Sequence, residues 1–74
     1  MTISKNTKLK ELLAAFPWLL DEAEKLDPKF KILNNPIGKA FLKQATIEDL
    51  SKKSGLTVNE ILDWIKQEIE RRKH

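Results

Sequence analysis

Apolar residues recur along this chain at helical intervals, and no stretch alternates as a half-buried strand would. Leu9, Leu12, Leu13 and Phe16 fall at i, i+3, i+4 and i+7, one face of a helix. Thr7 stands where an N-cap belongs. Pro17 lacks an amide donor and disfavours helical geometry at Phe16, so it ends this helix, but it is well suited to open the next. The second helix reads PWLLDEAEKL, with Leu19 or Leu20, Ala23 and Leu26 as its buried stripe, and Asp27-Pro28 stops it.

The centre of the chain, KFKILNNPIGKAF, holds another helix start. Asn35 can accept a bond from an orphaned amide, and Pro36 at the first helical position gives up a donor that has no use there. The third helix then places Ile37, Ala40, Phe41 and Ala45 on one face and Lys39 and Lys43 on the solvent side. Gly38 costs this helix about 1 kcal/mol relative to Ala, which makes it a candidate for close packing. Thr46 caps a fourth helix with Glu48 and Asp49 in its first turn, Lys52 and Lys53 at its end and Gly55 as a left-handed stop. Thr57 and Glu60 form a capping box that opens the longest helix, striped by Val58, Ile61, Leu62, Ile65 and Ile69.

The predicted fold is all-α: a compact orthogonal array of about five short helices, the last one longest, ending in a helix-turn-helix-like pair at 47–54 and 58–70. One domain spans 1–74, with an ordered core over about 3–70 and a basic tail at 71–74. The first two helices are expected to pack on the last, with Leu12, Leu13, Phe16, Leu20, Phe41, Leu50, Ile61 and Ile65 at the centre.

Composition narrows the function classes. A chain of 74 residues, 41% hydrophobic and 34% charged, is an ordinary globular composition and argues against disorder. It buries only roughly 60% of its unfolded surface, so modest stability is expected. The formal charge of +3 comes largely from the closing RRKH, where cations complement a helix dipole. With no cysteine and one histidine, His74, there is no disulfide, no thiolate metal site, no cysteine nucleophile and no zinc site to expect. LLAAFPWLL behind SKNTKLKE superficially resembles a signal peptide, but Glu11, Pro17 and the following DEAE break the design, and nine apolar residues are too few to cross a bilayer. A cytoplasmic protein with no membrane contact is expected.

No chemistry-bearing motif stands out. The glycines are isolated, no nucleophile has a histidine beside it, and the acidic residues sit at helix starts or on polar faces. The sequence therefore predicts no enzyme and no cofactor. TIEDLSKKSGLTVNEILDWIKQ resembles a helix-turn-helix, with Ser51, Gly55 and Ile61 at the packing positions and Leu50 and Ile65 joining the helices. As a DNA reader it would use Lys52, Lys53, Thr57, Asn59 and Lys66. Glu60 and Asp63 oppose that use in a phosphate-lined groove, and no arginine precedes Arg71. Trp18 and Trp64 are expected to complete the core, Trp64 being the better interface candidate.

The order of FPWLLDEAEKL, ILNNP and ATIEDLSKKSGLTVNEILDWI resembles a family of small bacterial and archaeal domains of unknown function, the hybrid-cluster-associated redox-disulfide domain. The resemblance covers roughly Ile3 to Ile69. The redox branch carries Cys-x-x-Cys-Pro at the central segment. Aligning Pro36 on that proline places Ile32 and Asn35 at the cysteine positions, so this chain resembles the cysteine-free branch. The resemblance implies an all-helical fold and an accessory or interaction role without disulfide chemistry.

The expected function is a non-enzymatic module that contacts a protein partner or a second copy. Its candidate surface is Lys29, Lys31, Asn34, Asn35, Lys39, Lys43 and Trp64. The alternatives are the DNA-binding module and, more weakly, a small-ligand sensor with its pocket near Ile32 to Pro36.

Overall fold

Every helix end leaves backbone groups without an intrahelical partner, and in this chain the way those groups are satisfied sets the architecture. The computed structural model describes residues 2–73. In chain order it contains α1 (Leu9–Ala15), α2 (Leu19–Leu26), a 3₁₀ helix (Pro28–Asn34), α3 (Pro36–Gln44), α4 (Ile47–Ser54) and α5 (Val58–Arg72). There is no strand among the described residues, only an isolated antiparallel bridge between Lys8 and Thr46. The Cα radius of gyration, 11.4 Å, matches the roughly 11 Å expected of one compact domain of this length. His74, at the end of the predicted basic tail, lies outside the described residues.

The bridge replaces the expected cap of α1. Thr7 does not cap that helix; its hydroxyl accepts from the Ser4 amide at 2.9 Å, and Lys8 occupies the N-cap without a side-chain bond. The Leu9 amide instead donates to the Ala45 carbonyl at 2.9 Å. In return, the first amides of α4 are taken up by the amino-terminal segment, Ile47 donating to Thr7 and Glu48 to Lys5. Two helix starts are thereby satisfied by one another's approach segments.

The starts of α3, α4 and α5 follow their sequence signals. Asn35 Oδ1 accepts from the Gly38 amide at 2.8 Å with Pro36 in the first turn. Thr46 with Asp49, and Thr57 with Glu60, form complete capping boxes. Gly55 takes the left-handed conformation, φ 82°, between α4 and α5. Pro17 and Trp18 form a turn, so α2 begins only at Leu19. α5 continues through Arg72, two residues beyond the expected 70.

One element was not predicted. Asp27 does stop α2, but its carboxylate then accepts from the Lys29 amide and starts the 3₁₀ helix with Pro28 at its first position. Side chains three apart eclipse in a 3₁₀ helix. Phe30 and Leu33 therefore both face inward, 6% and 5% exposed, and Ile32 is turned out, 51% exposed.

The core cluster joins Leu9, Leu12, Leu19, Ala45, Ile47, Ile61 and Ile65, with Ile47 fully enclosed. Leu12, Ile61 and Ile65 hold the predicted central places. Leu13, Phe16, Phe41 and Leu50 pack on the cluster half-buried. Leu20 is also half-buried, because α2 starts after the Pro17-Trp18 turn and aims Leu19 inward in its place. The phase of α3 also differs from expectation. Phe41 and Ala45 keep their expected inward places, but Ile37 is 78% exposed and Ala40 is exposed, while Gly38 is buried.

Gly38 explains that phase. A Cβ built there would press on the carbonyl oxygen of Ile32 and come within 2.5 Å of Leu33 Cα, so α3 lies with its backbone directly on the 3₁₀ helix. Neither contact is a flexible side chain that could move aside. Gly38→Ala is expected to lower stability by about 1–3 kcal/mol, although Ala is the better helix former. Asn35→Ala should cost about 1 kcal/mol through loss of the cap. Urea unfolding followed by circular dichroism measures both; an Ala variant at Gly38 as stable as the parent would contradict the close approach.

Candidate functional site

Two surface features draw attention, a corner and a cleft, and they share the 3₁₀ helix. At the corner, the Asp27 and Asn35 caps and the Gly38 contact hold the backbone from Asp27 to Lys39 in one shape. The exposed large hydrophobic side chains among the described residues are Leu26, Ile32 and Ile37, all within or beside this segment. Lys31, Lys39 and Lys43 are exposed around it. From residue 25 to residue 43 the chain carries five lysines and a single carboxylate, Asp27.

The predicted interaction residues divide on inspection. Asn35 is consumed by its cap. Lys29 donates to the Ser54 carbonyl at 2.9 Å and pairs with Asp27 at 3.5 Å, so it ties the 3₁₀ helix to the end of α4. Asn34 donates through Nδ2 to Glu24 of α2. Lys31, Lys39 and Lys43 keep exposed ammonium groups, and Ile32 and Ile37, which were not on the predicted surface, supply its apolar part. The missed signal was the 3.0-residue period of KFKILN, which turns Ile32 away from Phe30 and Leu33. Trp64 belongs to the cleft instead.

That cleft holds about 240 Å³. Leu12, Leu20, Ala23, Phe30, Leu33 and Trp64 are on its wall, contributed by α1, α2, the 3₁₀ helix and α5, and Glu60 is the only charged residue there. A sealed void of this size, at about 24 cal/mol per Å³, would cost on the order of 6 kcal/mol. A domain of this length has only about 4–11 kcal/mol of net stability. Opening to solvent reduces that cost, and the cleft remains an underpacked apolar space among the helices.

The predicted DNA-contact residues fall on α4 and α5. Ser51 Oγ donates to the Leu56 carbonyl at 2.5 Å, which closes the turn around Gly55. Thr57 and Glu60 spend their side chains on each other's backbone amides. Asn59 is exposed, but Glu60 and Asp63 are exposed beside it on the amino-terminal half of α5. Lys53 is drawn over the Phe41 ring, 5.2 Å from its centroid. Lys52 and Lys66 are exposed.

An ion-pair network secures the far end of α5 to α2. Glu22 receives Arg72 at 3.2 Å, Lys25 at 3.4 Å and Arg71 at 3.9 Å. Arg71 also pairs with the buried Glu68 at 2.6 Å. The Arg72 guanidinium lies 4.2 Å from the centroid of the Trp18 ring, itself edge-on to Phe16. Desolvation pushes the Glu22 carboxyl up, but the Lys25 and Arg72 charges and hydrogen bonds outweigh it and hold the group below its ordinary value of 4.5. A lowered carboxylate pKa stabilises the fold fully above the unfolded value and loses that effect as pH falls through the folded one. Glu22→Gln should therefore lower the melting temperature at pH 7, and the gap to the parent should close as pH drops below about 4.5. Thermal melts across pH 3 to 7 check this; a gap that stays constant would remove the ionic origin.

Among the described residues, no group of three or more His, Cys, Asp or Glu side chains is placed to hold a metal ion. Among the same residues no helix is long and apolar enough to cross a membrane. Comparison with family models, with curated proteins and with solved structures finds no match to this chain.

Proposed function

We propose that this domain is a non-enzymatic interaction module that docks a protein partner of acidic, apolar surface on the corner formed by the 3₁₀ helix and α3. The observation that carries the reading is Ile37, 78% exposed on a backbone held by the Asn35 cap and the Gly38 contact, with Ile32 outward beside it. Apolar side chains presented on a rigid support lose little entropy when a partner covers them. Lysines around an apolar centre supply the polar rim and the steering charge of such an interface.

Charge decides between partner classes. Two copies meeting corner to corner would bring lysine against lysine, with Asp27 already bound to Lys29, so a like-with-like dimer is opposed. An acidic partner is favoured by the same charges. Against the DNA-binding alternative stand Glu60 and Asp63 at the groove-facing start of α5 and the prior use of Thr57 in its cap.

An amide-resolved NMR titration separates these readings, with three probes used at low and near-physiological salt: an amphipathic Glu-Leu peptide, mixed-sequence duplex DNA and anionic lipid vesicles. The expected result is saturable shifts at Ile32, Ile37 and Lys39 with the peptide. Ile37→Asp should weaken that binding by tenfold or more while changing stability by less than about 0.5 kcal/mol, since the side chain is outside the core. DNA-induced shifts centred on Asn59 and Asp63 that survive near-physiological salt would overturn the proposal, as would binding to vesicles alone.

A further inference from the structure

The cleft is a separate matter from the corner, and its walls specify a ligand. We infer that it binds a small, uncharged, hydrocarbon-rich molecule, aliphatic or monocyclic aromatic, with any polar head at Glu60. The wall is apolar except at its edge, so a water inside would find too few of the two to four hydrogen-bond partners that it needs. At about 240 Å³ it exceeds the roughly 150 Å³ of apolar cavity that suffices to take up benzene.

Enclosure argues for a slender guest. Leu12, Leu19, Phe30, Leu33, Ile61 and Ile65, none more than 6% exposed, form a closed inner part of the lining, while Leu26, 54% exposed, and the exposed Glu60 open it to solvent. A partner helix is about 10 Å across with its side chains and needs a trough whose walls are open along their length. The closed inner part offers no such trough and suits a narrow chain or ring.

Glu60 sets the choice of head group. Its Oε1 accepts from the Thr57 amide at 3.3 Å, which ties the side chain to the start of α5, and the second carboxylate oxygen of this exposed lining residue is left to accept from a guest. A hydroxyl can donate to that carboxylate, and a fatty-acid carboxylate is repelled by it. The site therefore selects alcohols and hydrocarbons over acids of the same chain length.

The test titrates the full domain with toluene, 1-hexanol and hexanoate, followed through methyl resonances and the Trp64 indole. Saturable shifts at Leu12, Leu20, Leu33 and Ile61, a raised melting temperature, and 1-hexanol binding at least tenfold tighter than hexanoate are expected. Glu60→Gln should narrow that preference. Ala23→Leu, which adds volume from the wall of the cleft, should raise the melting temperature and abolish binding. Absence of saturable shifts with toluene and 1-hexanol overturns the inference. So does 1-hexanol binding unchanged in Ala23→Leu, or cleft shifts that depend on protein concentration without ligand, which would make a second copy the occupant. Failure at the cleft leaves the peptide result at the corner untouched, because the two experiments read different residues.

Discussion

The long-range backbone hydrogen bonds of this domain meet at one place, where residues 5–9 run beside 45–48. Leu9 donates to Ala45, Ile47 to Thr7 and Glu48 to Lys5. Each such bond contributes only about 1 kcal/mol net, but a buried amide left without a partner costs about 1–3 kcal/mol. Ile47, fully enclosed, sits at the first position of α4 and Leu9, 3% exposed, at that of α1, so these two amides have little water to turn to. The pairing thus closes the chain on itself and brings α1 against α3, which in turn positions the Leu9, Leu12, Ala45 and Ile47 contacts of the core.

Most of the helices that this closure gathers are short. Apart from α5, every α-helix has between seven and nine residues, below the roughly 12–15 at which an isolated helix becomes marginally stable in water. Caps and packing have to supply what propensity does not. The Thr46 and Thr57 boxes, the Asn35 cap and the left-handed Gly55 do so locally. The Glu22 network does so over distance, since α5 runs past α4 and its exposed end would otherwise fray. Arg71 and Arg72 are therefore structural cations, and their contribution to the net charge says little about nucleic acid.

The 3₁₀ helix links the two candidate sites. Phe30 and Leu33 face the cleft, and Ile32 faces the corner, because a period of three separates the faces of a seven-residue turn cleanly. Gly38 then presses α3 onto that same element.

Local chemistry made much of this legible in the amino-acid order: the Asn35-Pro36 start, both Thr capping boxes, the Gly55 stop and the α5 stripe each depend on residues within a few positions of one another. The sequence by itself determined an all-helical chain, where α3, α4 and α5 begin, and the lack of any cysteine chemistry. Three things were decided only in three dimensions. The Lys8-Thr46 bridge pairs segments far apart in the chain, with no side-chain signature, and so displaced the expected Thr7 cap. The rotation of α3 that exposes Ile37 follows from a backbone contact at Gly38, which the glycine hinted at without naming its partner. The cleft arises because several short helices cannot fill the space among them with the side chains that their stripes provide, and packing density is a property of the assembled helices, never of one stripe.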